Sequence, residues 1–97
     1  MKQPIHKLRI PESVAEVIRG MHPQVKRKIK ASLKLILSNP NGGKALKDEL
    51  AGLRSFRVSK LRIIYRIQKN AIEIVAIGPR ERIYEETFLI LKRETRG

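Results

Sequence analysis

Three arginines and a tyrosine in the second half of the chain have the types and spacing to hold an anion and move a proton. Arg57 and Arg62 flank a Ser59-Lys60 step between two runs of alternating residues, and Arg80 and Tyr84 follow a Gly78-Pro79 break. Side chains alternate across a strand. If Phe56, Val58, Leu61, Ile63 and Tyr65 face a core, then Arg57, Arg62 and Arg66 face outward. A tight turn at Ser59-Lys60 pairs Val58 with Leu61 and sets Arg57 opposite Arg62. Like charges directly opposite on one face are unfavourable. An anion held between two guanidinium groups relieves the repulsion through charge-assisted bidentate hydrogen bonds. The alternative is a solvated pair that repels weakly across water. Ser-Lys is not a pair that two-residue hairpin turns prefer, which leaves the register open.

Arg80 lies just past the last strand, where loop residues commonly carry function. From there it can join Arg57 and Arg62 over the sheet. Glu81 is either a general base or a partner of Arg82, and Tyr84 either moves a proton or packs at a helix start. A free phenol titrates at about 10, and nearby cations favour the phenolate. The two histidines offer less: His6 falls on the apolar side of a short strand, and His22 sits in a turn. Neither makes a metal-ligand pattern with nearby carboxylates, so no metal is expected. Asn41-Gly42-Gly43-Lys44 lacks the spacing of a nucleotide-phosphate loop.

The elements that must position these groups follow from periodicity. Residues 5–10 alternate as a short strand, and Pro11-Glu12 opens a helix with Val14, Val17, Ile18 and Met21 as its apolar stripe. Pro23 starts a second helix to about Ser38, with Val25, Ile29, Leu33, Ile36 and Leu37 on one face. Lys26, Arg27, Lys28, Lys30 and Lys34 point mostly away from that face, and Asn39-Pro40-Asn41-Gly42-Gly43 ends the helix. The period then changes to two, with strands at Phe56–Val58, Leu61–Ile67 and Ile72–Ile77, stopped by Gly78-Pro79. Tyr84 to about Lys92 can form a short closing helix with Phe88, Leu89 and Leu91 apolar. The expected fold is therefore α+β, β-α-α-β-β-β, with a helical hairpin on one face of an antiparallel-rich sheet and the other face open. Residues 1–97 read as a single domain.

Charge narrows the partners. Lys and Arg number 22 against nine acids, a net charge of +13. The natural counterpart is nucleic acid or an acidic protein. An anionic membrane surface fits less well, because the most basic helix has no Trp or Phe to anchor it. Residues 53–66 carry five basic residues and no acid, whereas acids cluster at Asp48-Glu49 and at Glu81, Glu85, Glu86 and Glu94. The chain has no cysteine, in keeping with a reducing cytosol. Met1 to Ile10 has no apolar signal-peptide core, and no segment reaches the roughly 18 apolar residues of a membrane span.

Taken in order, these residues resemble the RelE/ParE superfamily of bacterial and archaeal toxins. The resemblance runs through Leu37-Ser38-Asn39-Pro40, Lys44-Ala45-Leu46 to Gly52-Leu53, Phe56-Arg57-Val58, Leu61-Arg62-Ile63-Ile64-Tyr65 and Ile77-Gly78-Pro79-Arg80-Glu81-Arg82-Ile83-Tyr84. It implies a RelE-like fold in the cytoplasm and a cognate antitoxin protein that neutralises the toxin. It also implies messenger-RNA cleavage on the ribosome, in which the RNA 2′-hydroxyl attacks the adjacent phosphodiester with neither metal nor cofactor. On that resemblance Arg57, Arg62, Arg80 and Tyr84 are the catalytic candidates, and Arg54, Lys60, Arg66 and Arg82 are expected to follow the RNA backbone. Arg57 occupies a position that resembles a family lysine, and Ser55 the position of a second one. Arginine there clamps charge but hardly gives up a proton. Two other outcomes stay open: a ParE-like toxin that inhibits DNA gyrase without nuclease activity, or a weak relative that only binds antitoxin.

Overall fold

A computed structural model describes residues 7–96 of the chain. The order is β1 (Lys7–Arg9), α1 (Glu12–Arg19), α2 (Pro23–Ser38), β2 (Lys44–Ala45), β3 (Arg54–Val58), β4 (Leu61–Gln68), β5 (Ala71–Pro79) and α3 (Arg80–Arg96). Short 3-10 turns at Pro40–Gly42 and Asp48–Leu50 flank β2. The strands form one sheet in the order β1-β5-β4-β3-β2, with β1 parallel to β5 and the other pairs antiparallel. His6, expected to pack on the apolar side of the first strand, lies outside the described residues.

The two N-terminal helices start where the sequence allows. Glu12 meets the positive end of α1, and Arg19 in its last turn forms an ion pair back to Glu12. At α2, His22 Nδ1 accepts the Gln24 N–H at 3.2 Å, and Pro23 fills the first helical position without wasting a donor. Val14, Ile18, Ile29, Leu33 and Ile36 then bury against Val58, Ile63, Tyr65, Ile72, Ile74 and Ile77 of the sheet.

The opposite face of the sheet is not open, as the sequence led us to expect. The closing helix begins at Arg80 rather than Tyr84, runs to Arg96, and packs on that face. Ile83 is buried against Leu53, Ile64, Val75 and Ala76, with Ile90 and Leu91 beside them, and Thr87 is also buried. Phe88 and Leu89, two of the three apolar residues expected to mark this helix, remain partly exposed. Two local features bring the helix down. Pro79 disfavours helical backbone at Gly78, so β5 stays extended to Pro79 and the helix starts at once behind it. Gly78 leaves room for the first turns: a Cβ there would stand 3.2 Å from Ile83 Cδ1.

A bulge in β5 serves both layers. Ile64 pairs with Ala76 and Tyr65 with Ile74, so Val75 is the extra residue. Val75 and Ala76 both join the α3 layer, while Ile74 and Ile77 both reach the α1–α2 layer. Strict alternation through Ile72–Ile77 would have sent one of them to the wrong side.

Candidate active site

The β3–β4 hairpin is the foundation. Its register pairs Val58 with Leu61 and Arg57 with Arg62, the arrangement read from the alternation. Ser59 makes the two-residue turn by taking φ of 57°, a left-handed conformation that costs a non-glycine residue about 1–2 kcal/mol. The apolar residues on the other side of the hairpin hold the register against that cost.

Arg57 and Arg62 open onto a cleft of about 480 Å³. Arg80, the first residue of α3, and Tyr84, one turn later, close one side of it. The other wall is Lys44, Leu46, Lys47, Asp48 and Leu50, and Ser55 lies on the floor. Five lining side chains are cationic and only Asp48 is acidic. Arg80 is itself at a helix N-terminus, where the macrodipole disfavours a cation and favours an anion. An anion bound in the cleft would relieve both the repulsion between Arg57 and Arg62 and the unfavourable placement of Arg80 at the helix N-terminus.

Tyr84 is held by a hydrogen bond at the floor of the cleft. Its oxygen lies 3.3 Å from Ser55 Oγ. Burial pushes the phenol up, but the hydrogen bonds from Ser55 and Arg62 and the charges of Arg62 and Lys44 pull harder, so Tyr84 titrates below its ordinary value. Each of these contacts favours the phenolate, the form that accepts a proton.

The four residues expected to do the chemistry, Arg57, Arg62, Arg80 and Tyr84, are thus brought together. The four expected to follow the RNA backbone are not. Lys60 lines a smaller cavity on the outer side of the arginines, with Ser59 and Glu81. Arg54 donates to the carbonyls of Asn41 at 3.1 Å and Gly43 at 2.7 Å, which commits it to the loop before β2. Arg66 faces outward from β4 as expected, yet Glu73 at 2.5 Å and Glu94 of α3 at 3.4 Å neutralise it at the far end of the sheet. Arg82 is exposed on α3, away from the cleft lining. Glu81 borders the outer cavity rather than Tyr84.

Sequence reasoning missed Lys44, Lys47 and Asp48 as wall residues. Lys44 belongs to a two-residue strand, too short to show any periodicity. Asp48 carries φ of 57°, a conformation no side-chain pattern announces. The one available signal was the position of Lys44 just after Gly43, whose missing Cβ lets the loop approach the sheet.

A basic cleft on a mixed sheet held between two helical layers defines a small α+β domain with a cationic site. The family described as ParE toxin of type II toxin-antitoxin system, parDE, matches residues 11–84, and the chain belongs to it, within the RelE/ParE superfamily. No curated protein sequence matches. Among solved structures, the fold is similar to a RelBE toxin-antitoxin complex from Mycobacterium tuberculosis, with a TM-score of 0.68 and 23% identity over 77% of this chain and 98% of that one. It is similar to a free-state variant of the E. coli toxin RelE, with a TM-score of 0.71 and 19% identity over 92% of this chain and 97% of that one. A chromosomal ParDE toxin-antitoxin system from P. aeruginosa gives 0.64 and 15% identity over 79% of this chain and 98% of that one. The architecture is the RelE-like α+β fold, with the C-terminal helix as part of it.

Proposed function

We propose that this protein is a ribosome-dependent endoribonuclease, the toxin half of a type II toxin–antitoxin pair acting in the cytoplasm. The observation that carries this reading is the convergence of Arg57, Arg62 and Arg80 on one cleft with a phenol below its usual titration range. In the proposed reaction the RNA 2′-oxygen bonds to the adjacent phosphorus and the bond from phosphorus to the 5′-oxygen breaks. The 2′ proton passes to the Tyr84 oxygen. Arg57, Arg62 and Arg80 hold the charge that builds on the phosphoryl oxygens, which is the usual largest source of rate enhancement. The leaving 5′-oxygen takes its proton from solvent, and Tyr84 loses its own to solvent to reset. The partner that silences the toxin is an antitoxin whose contacting segment alternates acidic and apolar residues, to suit this surface.

The test is cleavage of a messenger RNA in vitro with and without ribosomes. Cutting only with ribosomes, and a loss of about 100-fold or more in Arg62→Ala or Arg80→Ala, are the expected results. Normal cutting by both variants would remove the cleft from the chemistry. The family match favours a second reading, since its description is of ParE toxins. On that reading the protein inhibits DNA gyrase and cuts nothing, and a supercoiling assay run beside the RNA assay selects between the two.

A further inference from the structure

One wall residue is held more firmly than an exposed lysine needs to be. The Tyr65 hydroxyl donates to the Pro40 carbonyl at 2.7 Å and accepts the Gly43 N–H at 3.0 Å. Arg54 adds its two bonds to Asn41 and Gly43 carbonyls. These contacts fix the loop immediately before Lys44, and β2 pairing then sets Lys44 directly opposite Ser55. Ser55 is the residue that hydrogen-bonds the Tyr84 oxygen. The ion pairs among the described residues join Glu12 to Arg19 and Arg66 to Glu73 and Glu94, so none of them occupies Lys44.

We propose that Lys44 is a positioning residue of the cleft: from the edge strand its ammonium acts across the Ser55–Tyr84 hydrogen bond and keeps the Tyr84 oxygen ready to accept the 2′ proton. The inference rests on the nuclease reading for its purpose, but its physical content is the effect of Lys44 on the phenol. The charged groups facing the cleft with Tyr84 are Arg57 from β3, Arg62 from β4, Arg80 from α3, Lys44 from β2, and Lys47 and Asp48 from the turn behind it. Arginines 57, 62 and 80 also serve the phosphate, so their charge is partly cancelled when RNA binds. Lys44 enters from the opposite wall, beside Ser55, where it continues to face the phenol. Its charge and that of Arg62 both act to lower the titration of Tyr84.

The experiment is a phenolate absorbance titration of the folded protein without RNA. The chain has two tyrosines, and Tyr84→Phe identifies the ionisation that belongs to Tyr84. Lys44→Met is expected to move that ionisation to higher pH, and Lys44→Arg, which keeps the charge, to leave it in place. With ribosomes and RNA, the acid limb of the kcat profile should move the same way in Lys44→Met, with kcat near neutral pH down roughly threefold or more and KM unchanged. An unmoved Tyr84 ionisation in Lys44→Met would overturn the proposal. A KM effect with an unmoved pH limb would also overturn it, since that is what a plain RNA contact produces. If the ionisation moves but the wild-type protein cuts no RNA, the hold of Lys44 on the phenol stands and the nuclease reading falls.

Discussion

The Tyr65 oxygen accepts the Gly43 N–H at 3.0 Å, and a Cβ on Gly43 would come within 2.5 Å of that same oxygen. Tyr65 is fully buried in the α1–α2 layer, so the contact nails an otherwise exposed loop to the core. Gly43→Ala is expected to destabilise by about 1–3 kcal/mol, because backbone and a buried ring must both give way. Tyr65→Phe should cost about 1–3 kcal/mol by leaving the Gly43 N–H and the Pro40 carbonyl without their partner. Urea unfolding measures both. If either variant matches wild type, the loop is not anchored there.

The like-charged pair opposite one another in the hairpin sets stability against function. Arg57→Gln removes the repulsion between Arg57 and Arg62 across the β3–β4 register. Stability should rise by about 0.2–1 kcal/mol. RNA cleavage should fall, since one of the charges facing the phosphate is gone. A thermal melt and a cleavage assay on the same preparation check the two signs, and a loss in both would show that the pair is structural.

With Tyr84 as the proposed base, the rate should depend on pH in a defined direction. A base works deprotonated, so cleavage should climb as pH rises through the Tyr84 titration. That midpoint lies below the ordinary 10.0, because the contacts of Ser55, Arg62 and Lys44 outweigh burial. The same lowering makes a contribution to folding stability that grows as pH rises from the folded-state midpoint toward 10.0 and is absent below it. Tyr84→Phe should abolish the rising limb in a kcat profile taken with ribosomes.

Ser59 pays for the hairpin turn with its positive φ. Ser59→Gly removes that strain and adds unfolded-state entropy. The net gain should be about 0.5–1 kcal/mol, with the Arg57–Arg62 register unchanged. A denaturation midpoint that falls instead would mean the serine is not strained.

Arg66 should prove structural. It joins β4 to Glu73 of β5 and Glu94 of α3, and these carboxylates hold its guanidinium more firmly charged than usual against the cost of burial. Arg66→Ala should lower the melting temperature and leave cleavage within about twofold of wild type, because the residue is outside the cleft. A selective loss of RNA binding would return it to the nucleic-acid surface.

The two arginines that share one alternation show how far the sequence reached. Arg62 and Arg66 both point to the outer face of β4, and period two is enough to say so. Their fates are separated by Glu73, paired opposite Arg66 on β5, and by Glu94, contributed from 28 residues further along, which together neutralise one of them. The Arg57–Arg62 register was half legible: alternation favours it because the apolar residues on either side of Ser59-Lys60 meet on one face, but the Ser-Lys turn left it open until the strands paired. Lys44 was not legible. Its strand is two residues long, and the groups that fix its loop, Tyr65 and Arg54, lie on other strands.

By itself the sequence determined the helical and strand periods, the hairpin register that alternation favours, and a basic balance whose counterpart is nucleic acid or an acidic protein. Each of these depends on spacing between near neighbours, which the chain carries wherever it goes. The tertiary structure alone decided that α3 covers part of the outer face, that a bulge at Val75 feeds both layers, and that Lys44 enters the site beside Ser55. Those outcomes depend on which distant segments meet. Burial and charge pairing act through space, so they become definite only once the chain has closed on itself.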